Sequence, residues 1–498
     1  MSMLWRPLTQ LLALLSLASV VLSSSSICDR LRSEIPGRVV LPREPLYTEW
    51  ESSYYSQYER ALKPSCIFRP TRTAEVSEFI HIINENANAS SSPLKFAVRG
   101  GGHTLFSGAA NIKGGITVDM RSMKSLVLSA DRKTASVGGG SIYSDLYAQL
   151  DRYNLTVMGG RVPGIGVGGF TTGGGLNFLS RDHGYSCDNV YGYEVVLGNG
   201  SVVHATASAN RDLWLALKGG SNNFGIVTRF DLATFPLKAM WGGVLLFKYS
   251  EALVDAQAKA FSEFMNPDNF DGAADMAVIM NFADGGFSTG DSLFYTKPVA
   301  NPPVYRGFTS LPSPVKNTLG LNNVSGMVTK FGQTLPPKLN WTTEFVYSFK
   351  NPSPETYKLL FQIWEQGCRA LAHVKGLQVQ YLVQPQPVTN GTNSLGQPAG
   401  EKDKVMGLVT VAFDNPADEV VALQGARNIV LQQEAVLRRD GFYSPFQYLN
   451  YAEKSQDPIG SYGAEMKNRL REVSRKYDPA GVFQRMVPGG FKLFGQQR

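Results

Sequence analysis

The stretch LKFAVRGGGHTLFSG (Leu94–Gly108) sets a short apolar run directly before three consecutive glycines and a histidine. The run reads as a strand, and ITVDM (Ile116–Met120), with alternating apolar positions, reads as another beyond it. Three glycines in a row clear every side chain from one flank of His103 and permit positive φ. That is the arrangement expected where a backbone presses against a flat ligand. Most isolated histidines are surface turn residues; the glycines make tight ligand approach the better reading here.

A second glycine-rich stretch, GGRVPGIGVGGFTTGGGLNF (Gly159–Phe178), satisfies GxGxxG through Gly164, Gly166 and Gly169, with Asp188 nineteen residues further on. This is the spacing of a dinucleotide fingerprint. A nicotinamide-type site also needs a helix immediately after the loop, with its N-terminus on the pyrophosphate. FTTGGG opposes such a helix, because each glycine costs about 1 kcal/mol relative to alanine. A glycine loop still offers its backbone N–H groups to phosphate. GFSTG, centred on Ser288, has the spacing of a nucleophile elbow, but DSLFYTK does not continue as a helix. The histidines (His81, His103, His183, His204, His373) show no HxH or HExxH pairing, so nothing supports a metal.

Working outward, the N-terminus carries Arg6, the apolar run LLALLSLASVVL and then Ser23 to Ser26. This reads as a signal peptide over residues 1–26. Twelve apolar residues fall short of the roughly twenty needed to span a bilayer, so a secreted or luminal product without stable membrane insertion is expected. Sequons at Asn88, Asn154, Asn199, Asn323, Asn340 and Asn390 agree with that route. The net charge of +7 is spread along the chain without a basic run, which reads as solubility and not as a nucleic-acid partner. Four cysteines and no CxxC disfavour a zinc ribbon.

At 498 residues more than one core is expected. Thr73 reads as an N-cap before a helix with Val76, Phe79, Ile80 and Ile83 on one face. SLVLSADRKTASVGG and YEVVLGNGSVVHATA each read as two strands about a turn. From about Trp241 glycines thin out and longer periodic helices alternate with strands. The domains are therefore 27–235, 236–440 and a C-terminal segment, 441–498.

The pieces PSCIFRPTRTAEV, FAVRGGGHTLFSGAANIKGGITVDM, VGGGSIYSDLYAQL, GGRVPGIGVGGFTTGGGLNFLSRDHGYSCDNV, DLWLALKGGSNNFGIVTRF and, near the end, YLNYA with KYDPAGVF occur in order. Together they resemble the berberine bridge enzyme-like FAD-linked oxidoreductases of the vanillyl-alcohol oxidase superfamily, in their fungal branch. The resemblance implies an α+β protein: a two-part FAD-binding domain of the PCMH type (core about 62–233) and a substrate domain built as an antiparallel sheet backed by helices. It implies covalent FAD on His103, with Arg99, Gly100, Gly101, Gly102, Thr104, Ser107, Gly108, Gly140, Ser141, Gly164, Gly168, Gly169, Gly174, Asp188, Val190, Gly225, Ile226, Val227, Asn450 and Tyr451 around the cofactor. Val162 stands where many members carry a second flavin-bonding cysteine, so a single bond is expected. Ile165 falls at the position that gates oxygen, leaving oxidase or dehydrogenase open. The family pattern pairs Cys28 with Cys66, leaving Cys187 and Cys368 as buried thiols. Tyr448 is the candidate base and Gln384 a candidate substrate contact. A small organic substrate, O2 or another acceptor, a monomeric state and a role in secondary metabolism complete the expectation, with a carbohydrate or aromatic alcohol oxidase, or a flavin-binding homologue without turnover, as the alternative.

Overall fold

The computed structural model describes residues 27–89 and 94–495, so the leader read at 1–26 lies outside the described residues. Three sheets organise the chain. A four-stranded sheet runs Val39–Val40, Cys66–Phe68, Ile116–Asp119, Phe96–Arg99, its last three strands parallel. The amphipathic helix Thr73–Ala89 covers it, burying Val76, Phe79, Ile80 and Ile83. Thr73 is the helix's first residue, and its hydroxyl donates to Glu194 at 2.6 Å. Cys28 and Cys66 form a disulfide with Cα atoms 6.1 Å apart, tying the N-terminal helical segment to this sheet. Cys187 and Cys368 are free and buried.

A six-stranded antiparallel sheet centres on Ile226–Pro236, flanked by Thr134–Gly138 and Val190–Val196. Both hairpins expected from the sequence are present, Leu126–Leu128 with Thr134–Gly138 and Val190–Val196 with Val202–Thr206. The chain leaves this sheet at Pro236 and enters a nine-stranded antiparallel sheet at Met240. Three helices, Glu251–Phe264, Pro354–Leu371 and Glu419–Arg439, bury one face of that sheet. Its other face packs toward the glycine-rich part of the molecule through Val346, Met406 and Leu408. Two pieces cross the domain limits read from sequence. The short strand Tyr443–Ser444 joins the nine-stranded sheet, and the helix Val324–Gly332 packs its Met327 and Val328 into the core of the first region.

A helix does begin within GIGVGG, contrary to the sequence reading, but it is only Val167–Thr172, and it stops at Gly173. Gly174 and Gly175, at φ 121° and 89°, turn the chain away at once. Ser288 is exposed on the strand Gly286–Tyr295, so no nucleophile elbow forms. Asn154, Asn199, Asn323, Asn340 and Asn390 are exposed; the side chain of Asn88 lies outside the described ones. Among the described residues no helix is long and apolar enough to cross a membrane.

Candidate active site

The two glycine stretches meet back to back. A Cβ on Gly101 would stand 2.4 Å from the Gly166 nitrogen, and one on Gly166 would stand 2.1 Å from the Gly101 nitrogen. Any side chain at either position would force the two loops apart. The turn Gly138–Ser141 lies beneath: Ser141 accepts from the Val167 N–H at 2.9 Å, and Gly168 approaches the Gly139 carbonyl. Gly140 sits hard against the Met120 carbonyl, so its role is to compact this turn. Gly169 and Gly108 face open space, and Gly169 is exposed. The result is a cradle walled by backbone.

His103 stands at its edge. Its ring stacks on Tyr55, centroids 4.4 Å apart at 18°, and Gly164, at φ 83°, leaves room beside Nε2, which a Cβ would approach to 2.5 Å. Burial, with the nearby Arg99 charge adding to it, pulls the imidazole down to about 4. His103 is therefore neutral at physiological pH and holds a free nitrogen lone pair.

Several residues expected at the cofactor also brace the scaffold. Arg99 is buried with its guanidinium 3.5 Å over Tyr54, donating to the Trp50 carbonyl and the Ser53 hydroxyl, so it braces the segment before the site. Asp188 accepts from the Tyr185 N–H, Thr389 and Asn393, which consumes both carboxylate oxygens in pinning the 389–393 loop. Val190 is a core side chain whose carbonyl accepts from Trp214 Nε1. Ile226 is buried in the strand pairing, beside Gly225 and the half-buried Val227. Thr104 and Ser107 are half-buried, and Ser107 lines a recess of about 320 Å³ with Phe106, Tyr58 and Trp341. Ile165 lies across Gly160 and packs partly into the core.

Tyr448, the candidate base, is placed as a hydrogen-bond acceptor. It is fully buried, and its hydroxyl accepts from the Gly175 N–H at 2.8 Å and from Asn450 Nδ2 at 2.9 Å. Burial, and then Tyr451 beside it, push the phenol well above its ordinary value. Its role is to hold the Gly173–Gly175 turn, next to Gly174. Asn450 also donates to the Phe170 carbonyl, and Gly173 leaves room for its amide.

Sequence reasoning passed over Arg161. This guanidinium donates to Asp275 at 3.0 Å, to Gln384 Oε1 at 2.8 Å and to the Tyr451 hydroxyl at 3.3 Å. Arg161 thus gathers Gln384 from the nine-stranded sheet and Tyr451 from the C-terminal segment at the glycine loop. Gln384 Nε2 is buried without a protein partner, a donor left for a ligand. The signal was a lone arginine inside an otherwise side-chain-poor loop.

The family model described as "FAD binding domain" matches residues 64–206, the segment that builds this cradle. An FAD-dependent monooxygenase of Cochliobolus heterostrophus is 33% identical over 460 residues, covering 89% of this chain and 87% of its own. The chain belongs to the berberine bridge enzyme-like FAD-linked oxidoreductases. Among solved structures, 6-hydroxy-D-nicotine oxidase from Arthrobacter nicotinovorans has the same fold, with a TM-score of 0.75 at 21% identity over 90% of this chain and 97% of that one. Glucooligosaccharide oxidase from Acremonium strictum, whose FAD is 6-S-cysteinyl and 8α-N1-histidyl, aligns at a TM-score of 0.73 and 18% identity over 93% and 98%. The residues of this FAD-linked oxidoreductase fit the cofactor: open glycine backbone for phosphates and ring, and a neutral histidine at the edge.

Proposed function

We propose that this oxidoreductase is a secreted enzyme that carries FAD on His103 through one covalent bond and oxidises a small organic molecule, with O2 as the acceptor. The observation that carries the reading is His103 itself, a neutral imidazole stacked on Tyr55 and seated against the bare backbone of Gly164. Val162 offers no thiol for a second bond. The resemblance favours an intermediate of fungal secondary metabolism as substrate, with oligosaccharides as the competing class.

Bound FAD supplies a two-electron acceptor for hydride. The chain's own contribution is position and polarity. Asp275 fixes Arg161, and Arg161 in turn orients Gln384 and the Tyr451 hydroxyl toward the same space.

Acid precipitation of the purified protein tests the attachment: the pellet stays yellow in the wild type and turns colourless in His103→Ala. A colourless wild-type pellet overturns covalent linkage. A hydrogen peroxide screen over polyketide intermediates and oligosaccharides then separates the substrate classes, and turnover only with a quinone or dye acceptor overturns the oxidase reading.

A further inference from the structure

The inner face of the nine-stranded sheet carries a continuous row of polar side chains. Asn281 pairs with Gln380, Gln380 with Thr410, and Thr410 with Glu344, one residue from each of four adjacent strands. At about 4.8 Å per strand the row spans roughly 14 Å. Alternation settles its direction: Phe282, Tyr381, Val409 and Phe345 point into the helix-covered core, while Val346 and Leu408, two residues from Glu344 and Thr410, pack toward the glycine cradle. The row is half-buried, and Gln380 Nε2 donates to Asn281 Oδ1 at 2.9 Å.

Glu344 ends this row, and among the described residues no hydrogen bond or ion pair reaches it. Its strand, Trp341–Lys350, is tied to the histidine loop through one residue. Tyr55 donates its N–H to the Gly102 carbonyl, accepts from the Leu339 N–H and stacks on His103. The Glu344 charge is felt at the Tyr55 hydroxyl, secondary to burial. The helix Gln57–Arg60 and the turn Leu449–Tyr451 also pack on this strand. Arg60 spends its guanidinium on Gln57 and on the carbonyls of Tyr54, Tyr55 and Leu339, Glu59 accepts from the Ala110 N–H, and Tyr451 faces Arg161. Glu419 and Glu453 line the recess beside Thr343, the neighbouring residue that alternates to the other side. Among the described residues no cation compensates Glu344, and burial pushes its carboxyl up to about 8.

We propose that Glu344 is a catalytic residue of this site, taking the hydroxyl proton of an uncharged alcohol laid along the Asn281–Gln380–Thr410 row. This rests on the FAD reading above. The donor's O–H bond breaks and its proton passes to the Glu344 carboxylate; the adjacent C–H hydrogen leaves with both electrons to FAD, and the C–O bond becomes C=O. A row of amide and hydroxyl groups ending in an unpaired acid suits a neutral hydroxylated donor and opposes a carboxylate or phosphate.

The test uses yellow holoenzyme, wild type, Glu344→Gln and Glu344→Asp, with 4-methoxybenzyl alcohol and 4-methoxybenzoate as probes. The visible flavin spectrum of the wild type is expected to shift with a midpoint at about 8 and that of Glu344→Gln to stay constant. Anaerobic bleaching by the alcohol is expected to slow by at least about 100-fold in Glu344→Gln. Its rise toward alkaline pH should vanish, and Glu344→Asp should recover part of the rate. Above the transition the benzoate should perturb the flavin of Glu344→Gln only. Colourless acid pellets from all three proteins would overturn the FAD reading. Yellow pellets with no wild-type pH transition, or with equal bleaching in wild type and Glu344→Gln, including none in either, would overturn the role of Glu344.

Discussion

The cradle and the sheet facing it are built on opposite principles. In the cradle, backbone meets backbone: Gly101 and Gly166 leave no volume for a Cβ, and the ligand surface consists of main chain. Across from it, the sheet offers side chains in register, Gln384 held by Arg161 and the row ending at Glu344. A backbone wall recognises what every FAD shares and tolerates no substitution. A side-chain wall is rewritten one residue at a time while the strands stay paired, so cofactor and substrate selection separate onto the two walls.

Four perturbations break or sharpen this contrast. The largest effect belongs to Gly101→Ala, whose methyl would lie 2.4 Å from the Gly166 nitrogen; flavin content per mole of protein, read from the visible-to-ultraviolet absorbance ratio, should fall to near zero. Retained full loading would show that the two loops part cheaply. Arg161→Gln keeps the cradle intact but releases Gln384 and Tyr451, so covalent flavin should persist while kcat/KM drops by about 100-fold, roughly 2.7 kcal/mol.

Tyr448→Phe leaves the Gly175 N–H and the Asn450 amide without their acceptor, which should lower unfolding free energy by about 1–3 kcal/mol in a urea titration. The pH profile of kcat should keep its shape, and a lost limb would return Tyr448 to the role of base. The smallest effect sits behind the sheet, at Asp291, where burial raises the carboxyl to about 8 although Gln257 donates to it. With its folded-state value raised above the unfolded one, the folded protein holds this proton more tightly. Stability is therefore greatest below the ordinary carboxylate range and falls as pH rises toward about 8. Asp291→Asn should raise Tm at alkaline pH and change it little near pH 4, with unchanged kinetics.

Legibility followed the same division. The helix Pro354–Leu371, the strand Gln378–Pro385 and the paired hairpins were readable because each rests on a local period of 3.6 or 2. The hydrogen bonds of Tyr448 to Gly175 and Asn450 were not readable, because proximity to Asn450 in sequence says nothing of which face is buried. The bracing role of Asp188 was not readable because its partners, Thr389 and Asn393, lie some two hundred residues on. The short helix Val167–Thr172 forms against its glycine content because tertiary contacts at Ser141 and Asn450 hold it.

Sequence alone determined the cofactor side of this protein: glycine runs and a single histidine carry their meaning in local order, since absence of a side chain is a property of the residue itself. Only the tertiary structure decided the reactive side. Arg161, Gln384 and Tyr451 converge from three separate parts of the chain, and strand register alone turns the half-buried Glu344 to the inner face, where no ion pair reaches it among the described residues. Charge in a protein is defined by surroundings, and those surroundings are assembled by folding.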